Sequence, residues 1–189
     1  MKLIENHNLT HHNYYQDTEY VSNSMLNNLT GKSPEYFRFA MDNPQPTTPA
    51  MKFGSAIHMN VLQPEEFNNV YAVAPKFDKR TKQGKADHAE FVKKNIFKTV
   101  ISEQDFELIE QMTAKLMRDS DAKALLSKGL KEHIIVWENE EYGIKCRGML
   151  DIYKKDLGII VDLKTTQDSS YNGFASSVRK FKYYKQAAF

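Results

Sequence analysis

The stretch "GIIVDLKTT", Gly158 to Thr166, decides how the rest of the chain is read. Ile159, Ile160, Val161 and Leu163 give it the apolar look of a buried strand, yet Asp162 and Lys164 lie inside the run. Buried charges are costly unless they are paired or bound to a metal. Side chains two apart on a strand share a face. Ile160, Asp162 and Lys164 therefore point one way, and Ile159, Val161 and Leu163 the other. In the preceding run "IKCRGMLDIY", residues 144–153, one face carries Met149, Asp151 and Tyr153. If Tyr153 pairs with Ile160 across the six residues between them, Asp151 falls opposite Asp162. Directly opposed like charges repel, so a cation is the natural third party. The rival reading is an edge of two strands with exposed charges and an ordinary salt bridge, and D-x-K alone does not separate the two.

These runs and "EHIIVWE", residues 132–138, are rich in β-branched and aromatic residues, and "NEEYG" and "KKDLG" between them are turn-like. Together they predict an antiparallel meander. Upstream the pattern is helical. A short helix is expected from about Ser24, a turn at Gly31, and a second helix opened by Ser33 and Pro34, a cap followed by proline at the first helical position. "DNPQPTTPA" is an extended connection and "MKFGSAIHMNVL" a helix stopped near Pro64. Residues 75–88 form a basic loop leading into a helix over 89–98. A longer helix follows Ser102, with Phe106, Ile109, Met112 and Leu116 at core spacing. Ser120 is expected to cap a short helix ending at Gly129. The fold class is α/β, a central mixed sheet with an antiparallel meander flanked by helices. The final segment, from about Asn172, alternates aromatic and basic residues and reads as helix. It stops at "KQAAF" without glycine or cap, so the natural chain is expected to continue.

The chain has 189 residues, enough for one domain with a sizeable core. Its net charge of +2 neither favours nor excludes a nucleic-acid partner, but its distribution is informative. Residues 75–94 hold seven Lys or Arg against three acids, and residues 145–185 hold nine against four. Such runs are most often solvated faces, with phosphate binding as the alternative. The single cysteine, Cys146, excludes an intrachain disulfide and fits a reducing compartment. No run approaches the ~20 apolar residues of a membrane span, so a cytoplasmic protein without membrane contact is expected.

Hard divalent cations choose carboxylate oxygens and keep waters for substrate phosphates. Lys164, on the face of the two acids, would position a water or neutralise charge developing on phosphate. The chemistry suggested is metal-assisted phosphodiester hydrolysis. In "GSAIH", Gly54 and Ser55 lie four and three residues before His58, on one helical face. Small residues there allow close approach to a sheet, which would bring the imidazole toward the carboxylates. His11, His12, His88 and His133 have no such neighbourhood and read as ordinary histidines.

"GSAIH", "CRGMLD", "VDLKTT" and "YYKQAAF", in this order, resemble the RecB-type branch of the PD-(D/E)xK nucleases. The likeness is greatest to the exodeoxyribonuclease VIII (RecE-like) enzymes of phages and prophages, whose Arg-Thr-x-x-Gly-Lys stretch is matched within "DKRTKQGK". It runs from about Ser22 to the end, leaving residues 1–21 as an N-terminal arm or edge strand and 22–189 as an incomplete nuclease domain. The resemblance implies a restriction-endonuclease-like core. It further implies that His58, Asp151 and Asp162 are metal ligands, that the main-chain carbonyl of Leu163 helps coordinate the metal, and that Lys164 is the catalytic lysine. Gln186 matches the glutamine of the family's Q-x-x-x-Y motif, whose tyrosine would fall one position past Phe189. Glu132 sits where relatives often carry an acid at a strand start, ranked below the others, with a strand-edge salt bridge as its equal rival. Asp162 stands where many relatives have Glu.

What the resemblance implies is a magnesium- or manganese-dependent exonuclease. It would degrade linear double-stranded DNA from its ends and leave single-stranded tails for a partner annealing protein, with a ring-like homo-oligomer as the family habit. Lys79, Arg80, Lys82 and Lys85 in the loop, with Arg179, Lys180, Lys182 and Lys185 near the end, would grip phosphates. Tyr183 and Tyr184 would either stack on bases or pack a helix. One rival is a RecB-like repair or CRISPR-adaptation nuclease, disfavoured because such relatives often carry a cysteine set for an iron–sulfur cluster. The other is a catalytically silent DNA-binding domain.

Overall fold

The structure, a computed structural model, describes residues 1–11, 13–44 and 46–189; His12 lies outside the described residues. They fall into two compact units, one made of Met1–Pro46 with Glu132–Phe189, the other of Thr47–Lys131.

The first unit is built on a four-stranded sheet in the order β1-β4-β5-β6. Its strands are β1 (Lys2–Leu3), β4 (Leu130–Asn139), β5 (Ile144–Lys154) and β6 (Ile159–Val161). The numbers β2 and β3 belong to the second unit. β1 lies antiparallel to β4, with Leu3 opposite Trp137. β6 lies antiparallel to β5, with Tyr153 opposite Ile160. Beyond the reach of β6, Val21 makes an isolated parallel bridge to Cys146, while the named strand pairs of this sheet, β1 with β4 and β5 with β6, are antiparallel rather than the mixed set expected.

Neighbouring residues of a strand face opposite sides, and β4 buries both sides. Val136 packs with Leu9, Tyr14 and Tyr20, joined by Ile4, Ile134 and Met149. Its neighbour Trp137 meets Phe189 edge-on at 4.9 Å. Arg147 on β5 is only 4% exposed. Its Nη1 donates to Asp17 Oδ1 at 2.9 Å, and its guanidinium lies 4.9 Å from the Tyr14 ring centre. A buried arginine needs such partners to offset its desolvation.

Helices α1 (Asn23–Asn27) and α2 (Pro34–Asp42) are capped by the Ser22 and Ser33 hydroxyls, and Gly31 between them takes a left-handed φ of +73°. At the other end α8 (Tyr171–Phe181) and α9 (Tyr183–Ala188) meet at Lys182, whose φ of 56° breaks what the sequence suggested as one helix.

In the second unit α3 (Pro49–Leu62) starts from a Thr48 cap with Pro49 at its first position, as a helix start requires. It packs against α6 (Glu103–Arg118), where Ile109 is fully buried. Asn60 Nδ2 donates to Glu110 Oε1 and Thr113 Oγ1, both at 3.0 Å. After the short helix α4 (Phe67–Val70), two strands absent from the sequence expectation, β2 (Tyr71–Ala74) and β3 (Thr99–Ser102), pair in parallel. Each has only four residues, too few to show a period. Between them α5 (Lys82–Lys94) begins seven residues earlier than expected. Thr81 caps it, and the segment read as its C-terminal turn carries the chain into β3. Asp119, not Ser120, caps α7 (Ser120–Leu126).

The mixed α/β class and the antiparallel meander are as the sequence indicates. The buried look of "GIIVDLK" is corrected. β6 ends at Val161, and Ile160 is 57% exposed. The apolar run is an edge strand, and Asp162 and Lys164 stand just beyond its pairing.

Candidate metal and nuclease site

The sheet register carries the site. With Tyr153 opposite Ile160 and Ile152 opposite Val161, the ladder extended by one step aims Asp151 at Asp162. The ladder stops first. The chain turns away after Val161, and the Leu163 N–H donates to Asp151 Oδ2 at 2.6 Å. Charge-assisted bonds of this kind are short and strong. This one fixes the Asp151 carboxylate against the start of the Asp162–Lys164 segment.

The two aspartates then take different company. Lys164 Nζ sits 2.6 Å from Asp162 Oδ2 and donates to Gln186 Oε1 at 3.0 Å. Gln186 Nε2 closes the ring on Asp162 Oδ1 at 3.0 Å. Both oxygens of Asp162 are thus engaged. The Lys164 ammonium also lies 5.1 Å from the centre of the Tyr183 ring, three residues before Gln186 on α9. Residues three apart share a helix face, so α9 presents an aromatic surface and an amide to one lysine.

Asp151 is joined by Glu132. A carboxylate oxygen of each lies within 4.8 Å of the other. Glu132, at the start of β4, has a left-handed φ of 49°, a conformation that non-glycine residues adopt at a cost of about 1 kcal/mol or more. Burial, and then the negative charge of Asp151, pushes its carboxyl up to about 7. Two acids this close, one of them half-protonated near neutrality, form a donor set of hard oxygens that a divalent cation would relieve.

The structure therefore gathers the expected site residues of the first unit into two groups, Glu132 with Asp151 and Asp162 with Lys164 and Gln186, linked through the Leu163 N–H. Asp162 binds Lys164 and Gln186. Leu163 contributes its N–H. His58 lies half-buried on α3 in the second unit.

The expected phosphate-gripping residues divide as well. In the second unit Lys79 lines a cleft of about 310 Å³ with Lys76, Phe77 and His88. Arg80 is bound to Asp78 by Nε at 3.0 Å and Nη2 at 3.2 Å. Lys82 and Lys85 are exposed on the first turn of α5. The Thr81 Oγ1 accepts from the Gly84 N–H at 2.9 Å and donates to the Asp78 carbonyl at 3.0 Å. A Cβ on Gly84 would come 2.1 Å from that carbonyl. The Thr-x-x-Gly spacing is thus a helix start that only glycine fits. In the first unit Arg179 and Lys180 lie in the last turn of α8, while Lys185 donates to Thr30 Oγ1 at 3.1 Å and is structurally engaged.

Tyr183, expected from the sequence either to stack on bases or to pack a helix, lies against Lys164 at three-residue spacing from Gln186. Tyr15 was not singled out and carries no such signal. Desolvation first, then the charges of Glu132 and Asp151, hold its phenol above the ordinary range. The residue is 78% exposed.

Residues 22–189 match a family model described as a PDDEXK-like domain of unknown function (DUF3799). A comparison with curated proteins gives no match.

Proposed function

On the premise that the chain belongs to the PDDEXK-like domain family DUF3799, we propose that it is a magnesium-dependent exonuclease of linear double-stranded DNA. Membership points to nuclease-type hydrolysis, and PDDEXK nucleases are typically dependent on a divalent metal. Exonuclease action that leaves single-stranded tails for a recombination partner is the finer reading. The sequence resemblance to RecE-like enzymes favours it. The observation that carries the nuclease reading is the closed ring of Asp162, Lys164 and Gln186 set against the Glu132–Asp151 pair.

The oxygen donors of Glu132 and Asp151 suit magnesium or manganese. In this reading they hold the ion together with Asp162 and the Leu163 carbonyl. When bound, the cation polarises the phosphate and makes water easier to deprotonate. The chain's own groups do the rest. Lys164 offers an ammonium to the charge that develops on the phosphate oxygens. Gln186 and Asp162 hold Nζ in place, so little reorganisation is needed when substrate arrives. The Leu163 N–H keeps the Asp151 carboxylate aimed.

Lys79, Lys82, Lys85, Arg179 and Lys182 are the proposed phosphate contacts, which makes binding salt-sensitive. The proposed setting is the cytoplasm, with a single-strand annealing protein as partner and a homo-oligomer as the working form. Among the described residues no helix is long and apolar enough to cross a membrane. A cluster-bearing RecB-like nuclease fits less well, because the one cysteine, Cys146, is buried.

End-labelled linear duplex incubated with magnesium or with EDTA tests the reading. The expected result is magnesium-dependent shortening by the wild type and none by Lys164→Ala. Shortening that survives Lys164→Ala would overturn the assigned site, and no cleavage by the wild type would favour a silent DNA-binding domain.

A further inference from the structure

We propose that Tyr15 stacks on a nucleobase of the strand whose phosphate lies at Glu132 and Asp151, a substrate contact supplied by the segment before the matched domain. The proposal rests on the nuclease reading above. The family match begins at residue 22, so nothing in it assigns a role to Tyr15.

Three observations place this ring. First, four side chains of the N-terminal segment pack on the face of the sheet that bears Met149 and Asp151. Ile4, Leu9, Tyr14 and Tyr20 cluster with Ile134, Val136 and Met149. Met149 shares a face with Asp151, two residues on along β5, and Ile134 follows Glu132 by two residues on β4.

Second, the backbone at this point is firmly mounted. Tyr14 is 8% exposed and lies under the Arg147 guanidinium at 4.9 Å. Arg147 in turn holds Asp17 at 2.9 Å. The Asp17 carboxylate also accepts from the Glu19 and Tyr20 N–H groups at 3.0 Å, which closes the turn after Tyr15.

Third, the Tyr15 ring stands edge-on to Tyr14, with centroids 5.1 Å apart and planes at 83°. It leaves 78% of the residue open to solvent. An open aromatic face on a fixed mount is what base stacking needs, because little ordering remains to be done on binding. Every base has such a face, so the contact is tolerant of sequence. That suits an enzyme that must advance through any sequence.

The test is equilibrium binding of a fluorescent duplex with a short single-stranded end, with calcium in place of magnesium. Wild type is compared with Tyr15→Phe, Tyr15→Ala and Tyr15→Leu, and thermal melting of each is followed by circular dichroism. Tyr15→Ala and Tyr15→Leu are expected to bind roughly 5- to 150-fold more weakly, with Tyr15→Phe close to wild type. Tyr15→Leu retains apolar contact with Tyr14 and carries the test if the alanine variant melts early. Wild-type affinity in both Tyr15→Ala and Tyr15→Leu would overturn the proposal, as would Tyr15→Phe falling as far as Tyr15→Ala. A wild type that cleaves while Tyr15→Ala binds normally removes Tyr15 alone. A wild type that neither binds nor cleaves removes the nuclease reading with it.

Discussion

The Leu163 N–H donates to Asp151 Oδ2 at 2.6 Å, so the bond that ends the β5–β6 ladder is also the one that holds the first acid of the site. Structure and chemistry share one atom pair, and substitutions can separate them. Asp151→Asn keeps an acceptor for the Leu163 N–H but removes the charge. It should melt close to wild type while cleaving at least 100-fold more slowly. Asp151→Ala should lose activity and also about 1–3 kcal/mol of stability, because a partly buried N–H is left unpaired. Denaturant unfolding alongside the cleavage assay distinguishes these outcomes.

Gln186 touches both members of the Asp162–Lys164 pair. Removing it should leave the ion pair but free the lysine to sample other positions. For Gln186→Ala we expect kcat to fall roughly 10- to 100-fold with KM changed little, the pattern of a lost positioning contact. A rise in KM at constant kcat would assign Gln186 to DNA binding instead.

Glu132 gives the chain a pH dependence of definite sign. Its carboxyl is raised from 4.5 to about 7, so between those values the unfolded chain releases a proton that the folded chain keeps. The stability it contributes is complete below about 4.5 and lost as pH rises through about 7. Without divalent ions, Tm should fall between pH 5 and pH 8 by several degrees, on the order of 2 kcal/mol. Glu132→Gln should flatten that slope. Magnesium at pH 8 should raise the wild-type Tm and raise that of Glu132→Gln less. Melting curves at the two pH values, with and without magnesium, check all three statements.

Gly84 is fixed by space rather than by dihedral angle. A methyl group there would meet the Asp78 carbonyl at 2.1 Å, so Gly84→Ala must open the loop ahead of α5. A loss of roughly 1–3 kcal/mol is expected, accompanied by faster proteolysis between Phe77 and Lys82. Wild-type melting in this variant would show that the loop opens at no cost.

Much of the fold was readable from the residues. Ser33 with Pro34 and Ser102 announced their helices because capping is local chemistry. The register of β5 on β6 followed from turn length and alternation. The features that stayed hidden were non-local. β2 and β3 are each four residues long and are stabilised by pairing across 27 residues of chain. "GIIVDLK" looked buried because composition reports apolarity and not which side of a sheet has neighbours. Glu132 ranked low because nothing in its local sequence discloses a left-handed φ or the acid one strand away. The early end of β6 at Val161 could not be foreseen from its side chains.

The left-handed turn at Lys182 has an evolutionary reading. It redirects α9 so that Gln186, on the helix beyond it, meets Asp162 and Lys164. Each residue added to a helix rotates the downstream side chains by about 100°. An insertion or deletion between Lys182 and Gln186 would therefore swing the amide off its partners, whereas most substitutions there would not. Across homologues this segment should drift in spelling but keep its count.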